Sequence, residues 1–478
     1  MDTIGKAISI LVESFIFYYA ILIFSAYFIL ALISAWVLRK YHLLSKITEN
    51  NEVLSSPFVP SVSVLAPAYN ESLNIVENIK ALLSLYYSNY EVIIINDGSK
   101  DDTLDQVIKA FELEKIPFVI DQKIQCAEIR GIYKSRKKAL NSLLIIDKVN
   151  GGKADALNAG LNIANGEYFI AIDVDSIIDP YALQKMVKPF MEATKQPVIA
   201  TGGVIRIANS CEIRDGHLTQ VDLPHQLIPL FQVLEYNRSF LMGRLAWSKL
   251  NGLLLISGAL GLFDKEIVIA CGGYYKHTVG EDMELVVRMR RYMEDQKKGY
   301  RVEYIPDPLC WTEAPASLKI FTRQRNRWTR GTIETLFRHW SLFLNPRYGM
   351  MGLISHPFWV AFEWLAPIIE LIGVIYFIVT SITGSPNWPF FLVMLCFVYF
   401  FSVSFTSYAI LFDQVAFFKY PKKRMILKQL LAALLEPFIY HPVVLYAALK
   451  GNFDYFVLRK KSWGNMTRVG LKNTKNNQ

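Results

Sequence analysis

Apolar residues follow two patterns along this chain. Toward both ends they form long, nearly unbroken runs, and in the middle they form short runs separated by polar stretches with helical spacing. Residues 9–38 hold one acid, Glu13, and no base, and an apolar run of this length can span a bilayer. Its length, with no small-residue cleavage site behind it, favours an N-terminal transmembrane helix over a cleaved signal. Residues 358–382 and 388–412 are two further candidate spans, joined by a turn at "TGSPN". The segment 429–450 is apolar but interrupted by Glu436, Pro437, His441 and Pro442, and reads as transmembrane or re-entrant. Residues 346–357 read as an interfacial segment and 451–478 as a basic tail. Arg39, Lys40 and the basic loop "FFKYPKKRMILK" place the intervening domain in the cytoplasm. The chain is therefore expected to be a multi-pass protein of the plasma (inner) membrane.

Residues 58–345 carry the second pattern. "VSVLAPA", "YEVIIIN" and "YFIAI" are unbroken apolar runs of strand length, and "ESLNIVENIKALLSLYY" and the region 317–337 have helical spacing. Buried strands alternating with helices predict an α/β domain with a mostly parallel sheet. Ligands in such folds bind beyond the C-terminal ends of the strands, where Tyr69, Asp97, Asp173 and Asp175 fall. The basic stretch 121–142 reads as a solvated loop.

Composition changes this picture little. The chain has 478 residues, is 52% hydrophobic and carries a net charge of +9. Basic flanks facing anionic lipid explain that charge, and the sequence has no nucleic-acid-binding motif. Five scattered cysteines without a CxxC pair fit reduced thiols.

The polar residues at the strand ends supply the candidate chemistry. Asp97, in "NDGS", is either part of an ordinary Asp-Gly turn or an acceptor for a nucleobase N–H. "NGGKADALNAG" is not a P-loop, because Ala154 stands where Ser or Thr is needed. Its glycines still place Lys153 at a helix start, where backbone amides attract anions; a plain surface lysine is the alternative. Asp173 and Asp175 are two apart and point to one side of an extended chain. Two such carboxylates raise each other's pKa unless a cation intervenes, and hard oxygen ligands suit Mg2+ or Mn2+; a helix cap with a solvated loop is the alternative. Glu281 and Asp282 open a helix, either as dipole partners or with a carboxylate acting as general base. Gln324, Arg327 and Trp328 share one helix face, as a phosphate clamp with an aromatic platform or as a core tryptophan beside surface bases.

The order "PAYNE", "NDGS", "GGKADALNAG", "DVD", "SGALGLFDKE", "GED", "QRNRW" resembles that of family 2 membrane glycosyltransferases, the processive group with hyaluronan, chitin, cellulose and poly-N-acetylglucosamine synthases. The resemblance covers about residues 60–340 and extends loosely to the membrane segments and "KKSWGNMTR". It implies a GT-A fold. It implies that Asp97 binds uracil with Tyr69 and Glu71 nearby, and that Lys153, Asp173 and Arg327 hold the diphosphate of the donor. Asp175 would ligate Mg2+ or Mn2+, Asp282 would be the general base, and Glu281, Gln324 and Trp328 would meet the acceptor. Some relatives have "TED" where this chain has "GED", several have two N-terminal spans, and no cyclic-nucleotide regulatory domain follows "QRNRW" here.

The expectation is an inverting glycosyltransferase that extends an extracellular β-linked polysaccharide from UDP-N-acetylglucosamine or UDP-glucose, with room for a separate export partner. Transfer of one sugar to a lipid or lipid-linked acceptor is the alternative, and a non-catalytic assembly protein is the remoter one. Trp359, Glu363, Trp364 and Glu370, inside a candidate span, are read as the wall of a sugar-polymer channel or as ordinary helix contacts.

Overall fold

The computed structural model describes residues 3–45, 59–214, 216–384, 386–418, 420 and 422–460. Nearly all of "KKSWGNMTR", and the tail "NTKNNQ", lie outside these. The strands in chain order are β1 (Val62–Ala68), β2 (Tyr90–Asn96), β3 (Leu113–Ile116), β4 (Ile129–Ser135), β5 (Leu143–Lys148), β6 (Tyr168–Ile172), β7 (Ile177–Ile178), β8 (Val198–Ile207), β9 (Glu212–Arg214), β10 (His217–Gln220), β11 (Leu260–Asp264) and β12 (Arg301–Thr312). All but β9 and β10 form a ten-stranded sheet in the order β3-β4-β5-β2-β1-β6-β11-β8-β12-β7.

The unbroken apolar runs have a direct cause. Alternate side chains of a strand face opposite sides of the sheet. Val64, Ala66, Ile94 and Ile170 pack into one core cluster, while Leu65, Ile93, Ile95 and Phe169 pack into another. Both faces of the central strands are covered, so no polar alternation remains.

The sheet is mixed, which corrects the expectation of a mostly parallel one. β5, β2, β1 and β6 run parallel, as do β8 and β12. The pairs β3/β4, β4/β5, β6/β11, β8/β11 and β7/β12 are antiparallel. Burial on both faces dictates apolar runs but is silent on strand direction. The stretch 121–142 is not a loop throughout: β4 lies within it. Ile132 and Ser135 of β4 are buried, and the neighbouring bases are exposed, with Arg136 bound to Glu114 and Lys137 to Glu112, each at 2.6 Å.

Three helices among the described residues contain segments long and apolar enough to cross a membrane: Ala7–Leu43, Met351–Ile382 and Trp388–Phe417. The pair Lys423–Ile439 and His441–Phe456 is bent by 46° at Tyr440 and passes the same test if taken together. The first long helix runs Thr3–Ser45. Met351–Ile382 starts inside the stretch read as interfacial and contains π-helical turns at Met351–Ser355 and Trp359–Trp364.

Ion pairs and hydrogen bonds fix these helices to the sheet domain. Arg206 of β8 forms a buried bidentate pair with Asp413, its Nη1 lying 3.1 Å from Oδ2. Tyr41 donates to Asp307 of β12, which also binds Lys185 at 2.6 Å. Ser34 donates to the Met242 carbonyl, and Arg238 Nη1 lies 2.7 Å from Glu436 Oε2.

Candidate active site

All eleven residues singled out from the sequence line one cavity of about 1690 Å³: Tyr69, Glu71, Asp97, Lys153, Asp173, Asp175, Glu281, Asp282, Gln324, Arg327 and Trp328. The fold explains the convergence. β1, β2 and β6 are parallel neighbours, so the loops after Ala68, Asn96 and Ile172 leave the same edge of the sheet. The first two loops are tied together, with Lys100 N donating to Asn70 Oδ1 at 2.8 Å and Glu71 N to Thr103 Oγ1 at 2.9 Å. Tyr69 is left half exposed at this rim.

Asp97 is buried and already accepts hydrogen bonds from Lys148 Nζ at 2.6 Å, Gly151 N at 2.9 Å and Gly152 N at 2.8 Å. The carboxylate therefore pins the glycine loop to the end of β2, and a nucleobase N–H would join donors already in place. Lys148 is fully buried, which is tolerable because Asp97 and Asp155 both neutralise it, at 2.6 and 2.8 Å. Burial alone would raise the Asp155 carboxyl, but Lys148, the Ala127 amide and Lys276 hold it below the usual carboxylate range. Gly152 has φ +86, a left-handed conformation that favours glycine. It turns the chain into the Lys153–Ile163 helix.

Lys153 leaves this helix start and donates to Asp173 Oδ1 at 2.5 Å and to the Gly258 carbonyl at 3.0 Å. Burial would lower its pKa, but Asp173, then Glu281 and Asp282, outweigh that and hold the ammonium above its ordinary value. Gly258 also donates its amide to Asp282 Oδ2 at 3.1 Å, while Met283 N holds Asp282 Oδ1 at 2.9 Å. Gly258 thus orients both a cation and a carboxylate through its backbone, a role no sequence motif announced, although "SGALG" contains it. A Cβ there would lie 3.0 Å from Lys153 Nζ.

Glu281 is buried beside Asp282, and its Oε2 has no hydrogen-bond partner among the described residues. Burial first, and the Asp282 charge second, push its pKa up to about 7, against the pull of Lys153 and Arg327. On the facing helix, Leu318–Arg338, Arg327 Nη1 donates to the Val279 carbonyl at 3.2 Å, just before the Glu281 helix. The two helices meet where Gly280 faces Gly331: a Cβ on Gly331 would lie 2.8 Å from the Gly280 Cα. This close crossing brings Asp282 toward Gln324, Arg327 and Trp328.

No group of three or more His, Cys, Asp or Glu able to hold a metal is present among the described residues. Asp173 and Asp175 line the cavity, Asp173 with Lys153 at 2.5 Å, and two hard carboxylates suit an ion such as Mg2+, which takes few of them and completes its shell with phosphate oxygens and water.

The cavity continues past the sheet edge into the helices, where Tyr27, Arg238, Trp359, Glu363, Trp364, Glu370 and His441 line it. Its polar groups are paired: Tyr27 OH donates to Glu363 at 2.9 Å, and His441 Nε2 lies 2.9 Å from Glu370. Trp364 is held by packing as well, its indole N–H bound to Asn452 at 2.8 Å and its ring edge-on to Phe337 at 5.2 Å.

Glycosyl transferase family 2 matches residues 63–210, and Glycosyltransferase like family 2 matches residues 139–331. Poly-beta-1,6-N-acetyl-D-glucosamine synthase of Staphylococcus aureus (strain COL) is 29% identical over 279 residues, 58% of this chain and 56% of the relative. The synthase of the same name from Staphylococcus epidermidis is 28% identical over 298 residues, 62% of this chain and 60% of the relative. The chain thus spans about 56–60% of the length of these curated relatives. Among solved structures, a mannosyltransferase from Pyrobaculum calidifontis in complex with GDP-Man and Mn2+ aligns with a TM-score of 0.52 and 19% identity. That alignment covers 90% of this chain and 99% of that one, and places the fold in the GT-A class.

Proposed function

We propose, from the premise that residues 63–210 and 139–331 match family 2 glycosyltransferase models, that the protein is a membrane-embedded, inverting enzyme that transfers sugar from a UDP-sugar to a growing extracellular β-linked polysaccharide. UDP-N-acetylglucosamine or UDP-glucose is the donor. The synthases matched by sequence are named for poly-N-acetylglucosamine, which favours the first. The catalytic domain faces the cytoplasm, between the N-terminal span and the later ones.

The observation that carries this reading is the single cavity, lined at one end by the acids and bases of the sheet edge and at the other by polar residues of apolar helices. A donor held at the first end leaves the second for a product leaving through the membrane.

The chain's own groups account for each step. Asp97, Tyr69 and Glu71 bind the nucleoside, and Lys153 and Arg327 face the diphosphate. Asp282, with its oxygens oriented by Gly258 and Met283, takes the proton of the acceptor hydroxyl as that oxygen attacks the anomeric carbon. The bond to the UDP oxygen breaks, and Lys153 and Arg327 offset the charge gathering on the leaving diphosphate. Asp175 would hold Mg2+ or Mn2+, with Asp173 toward the diphosphate, and the ion would supply Lewis-acid charge there. Glu281, Gln324 and Trp328 hold the acceptor end, and the fixed geometry replaces chance encounter.

A second reading has its own support. Phe24 stacks on Phe401 at 4.0 Å, and Phe401 on Phe405 at 5.8 Å, giving the helical part of the cavity an aromatic wall suited to an acyl or isoprenoid chain. In that reading one sugar goes to a lipid-linked acceptor, and the same catalytic residues serve.

The test is UDP release by detergent-purified protein across a panel of nucleotide sugars, with and without Mn2+ or Mg2+, with products sized in the same reaction. Metal-dependent release with a high-mass product supports the synthase. A single added sugar on lipid supports the second reading. No release with any donor overturns both.

A further inference from the structure

Arg325, the second residue of "QRNRW", has no part in the roles assigned above, yet it sits at a junction of three elements. It is buried. Its guanidinium lies over the Trp328 ring at 4.1 Å and over the Phe321 ring at 4.9 Å. Its Nη1 donates to Glu235 Oε1 at 2.6 Å and its Nη2 to the Tyr440 hydroxyl at 3.4 Å. Tyr440 in turn donates to the other oxygen of Glu235. Glu235 belongs to the Leu227–Tyr236 helix, and Tyr440 is the residue at which the last two described helices bend. Arg325, Glu235 and Trp328 all line the cavity.

A buried ion pair is weak evidence for stability, because well-packed apolar residues commonly serve as well. Its placement is more informative. A planar guanidinium against an indole fixes the plane of the ring, which a lysine ammonium does not do. A carboxylate that takes hydrogen bonds from both Arg325 and Tyr440 fixes the guanidinium in turn. Trp328 is only partly buried, so an indole backed by Arg325 keeps surface for a sugar ring.

We propose that Arg325 and Glu235 are a positioning pair that sets the plane of Trp328, and through it the affinity for the saccharide acceptor, with Tyr440 tying that platform to the bend of the membrane helices. The inference rests on the proposed transferase reading and deepens it. Neither residue touches the reacting atoms, so the pair acts on acceptor binding and not on the donor.

The experiment uses the full chain in detergent, with short β-linked N-acetylglucosamine oligomers titrated as acceptors against a saturating donor, and the donor titrated separately. Arg325→Lys and Glu235→Gln are each expected to raise the acceptor KM roughly three- to thirty-fold, the range of a lost cation–π contact, with the donor KM unchanged. The double variant is expected to match the worse single variant, as coupled residues do. Tyr440→Phe removes one hydroxyl, is the mildest change to the fold, and is expected to shift the acceptor KM in the same direction by less. An unchanged acceptor KM overturns the proposal. So do a parallel loss for donor and acceptor, the mark of a merely structural pair, and full additivity in the double variant. A wild-type chain without transferase activity overturns the proposed function itself. An active wild type with insensitive variants overturns only the positioning pair.

Discussion

Glu281 and Asp282 are adjacent in sequence but meet different surroundings, and their substitutions should behave differently. Both oxygens of Asp282 accept from backbone amides, so Asp282→Asn keeps the size, removes the proposed base and loses one of these two hydrogen bonds. UDP release in the presence of acceptor should fall about 10²–10⁴-fold, with the donor KM little changed. Glu281 is buried with an unsatisfied oxygen, and its pKa rises from 4.5 to about 7. Below pH 4.5 the folded and unfolded chains both hold this proton; between 4.5 and about 7 the folded chain holds it and the unfolded chain does not. Stability from this group therefore falls as pH rises through that window. Glu281→Gln, neutral throughout, should gain a few degrees in melting temperature over wild type as pH rises across the window, read by thermal unfolding in detergent. Asp97 and Asp173 were legible because each ends an apolar run, and Glu281 and Asp282 because they open a helix. Their partners were not. Lys148, at the end of β5, looks like a strand-end base until the fold brings Asp97 and Asp155 to it, and Gly258 acts only through its backbone.

At the scale of elements, the approach of two helices decides whether Asp282, the proposed base, and Trp328, the proposed acceptor platform, meet. The Glu281–Asp295 helix starts against Leu318–Arg338 with two glycines at the crossing. Gly331→Ala would press a methyl group onto the Gly280 backbone, a contact that backbone cannot relieve by a rotamer change. It should lose about 1–3 kcal/mol of stability, and UDP release should fall more than the melting temperature alone explains. Helical spacing marked the platform helix, and apolar runs marked β1, β2 and β6. The basic edge of the sheet was misread because Arg130, Lys134 and Arg136 look like a solvated stretch, while Ile132 and Ser135 face inward. Strand direction is illegible for a different reason: it depends on how the chain returns between strands, which apolar runs buried on both faces do not record.

For the molecule as a whole, a buried ion pair reinforces the apolar contacts between sheet and helices, which include Leu30, Phe358 and Ile410. Arg206 and Asp413 are both almost fully buried. Asp413→Ala leaves the guanidinium without its carboxylate and should cost about 3–5 kcal/mol, seen as a lower melting temperature in detergent. The sequence pattern marked the long apolar helices but not these ties, since Asp413 reads as one acid at a span's end. Nor did it mark the closing of the cavity, whose walls come from both ends of the chain: Phe24 and Leu30 from the first helix, Val444 and Ala448 from the last one described.

That last helix, His441–Phe456, lies along Leu318–Arg338, with Asn326 bound to Asp454 at 2.9 Å and Gly451 against Thr329. The order of synthesis gives this packing a meaning. As the ribosome delivers the chain, residues of the sheet edge are made early, but the wall behind the Leu318–Arg338 helix arrives only with the last of the described helices. A half-made chain holds the acids and bases of the site without its enclosure. Docking of that helix on Leu318–Arg338 closes the cavity on that side, and a nascent chain stalled before it lacks this wall.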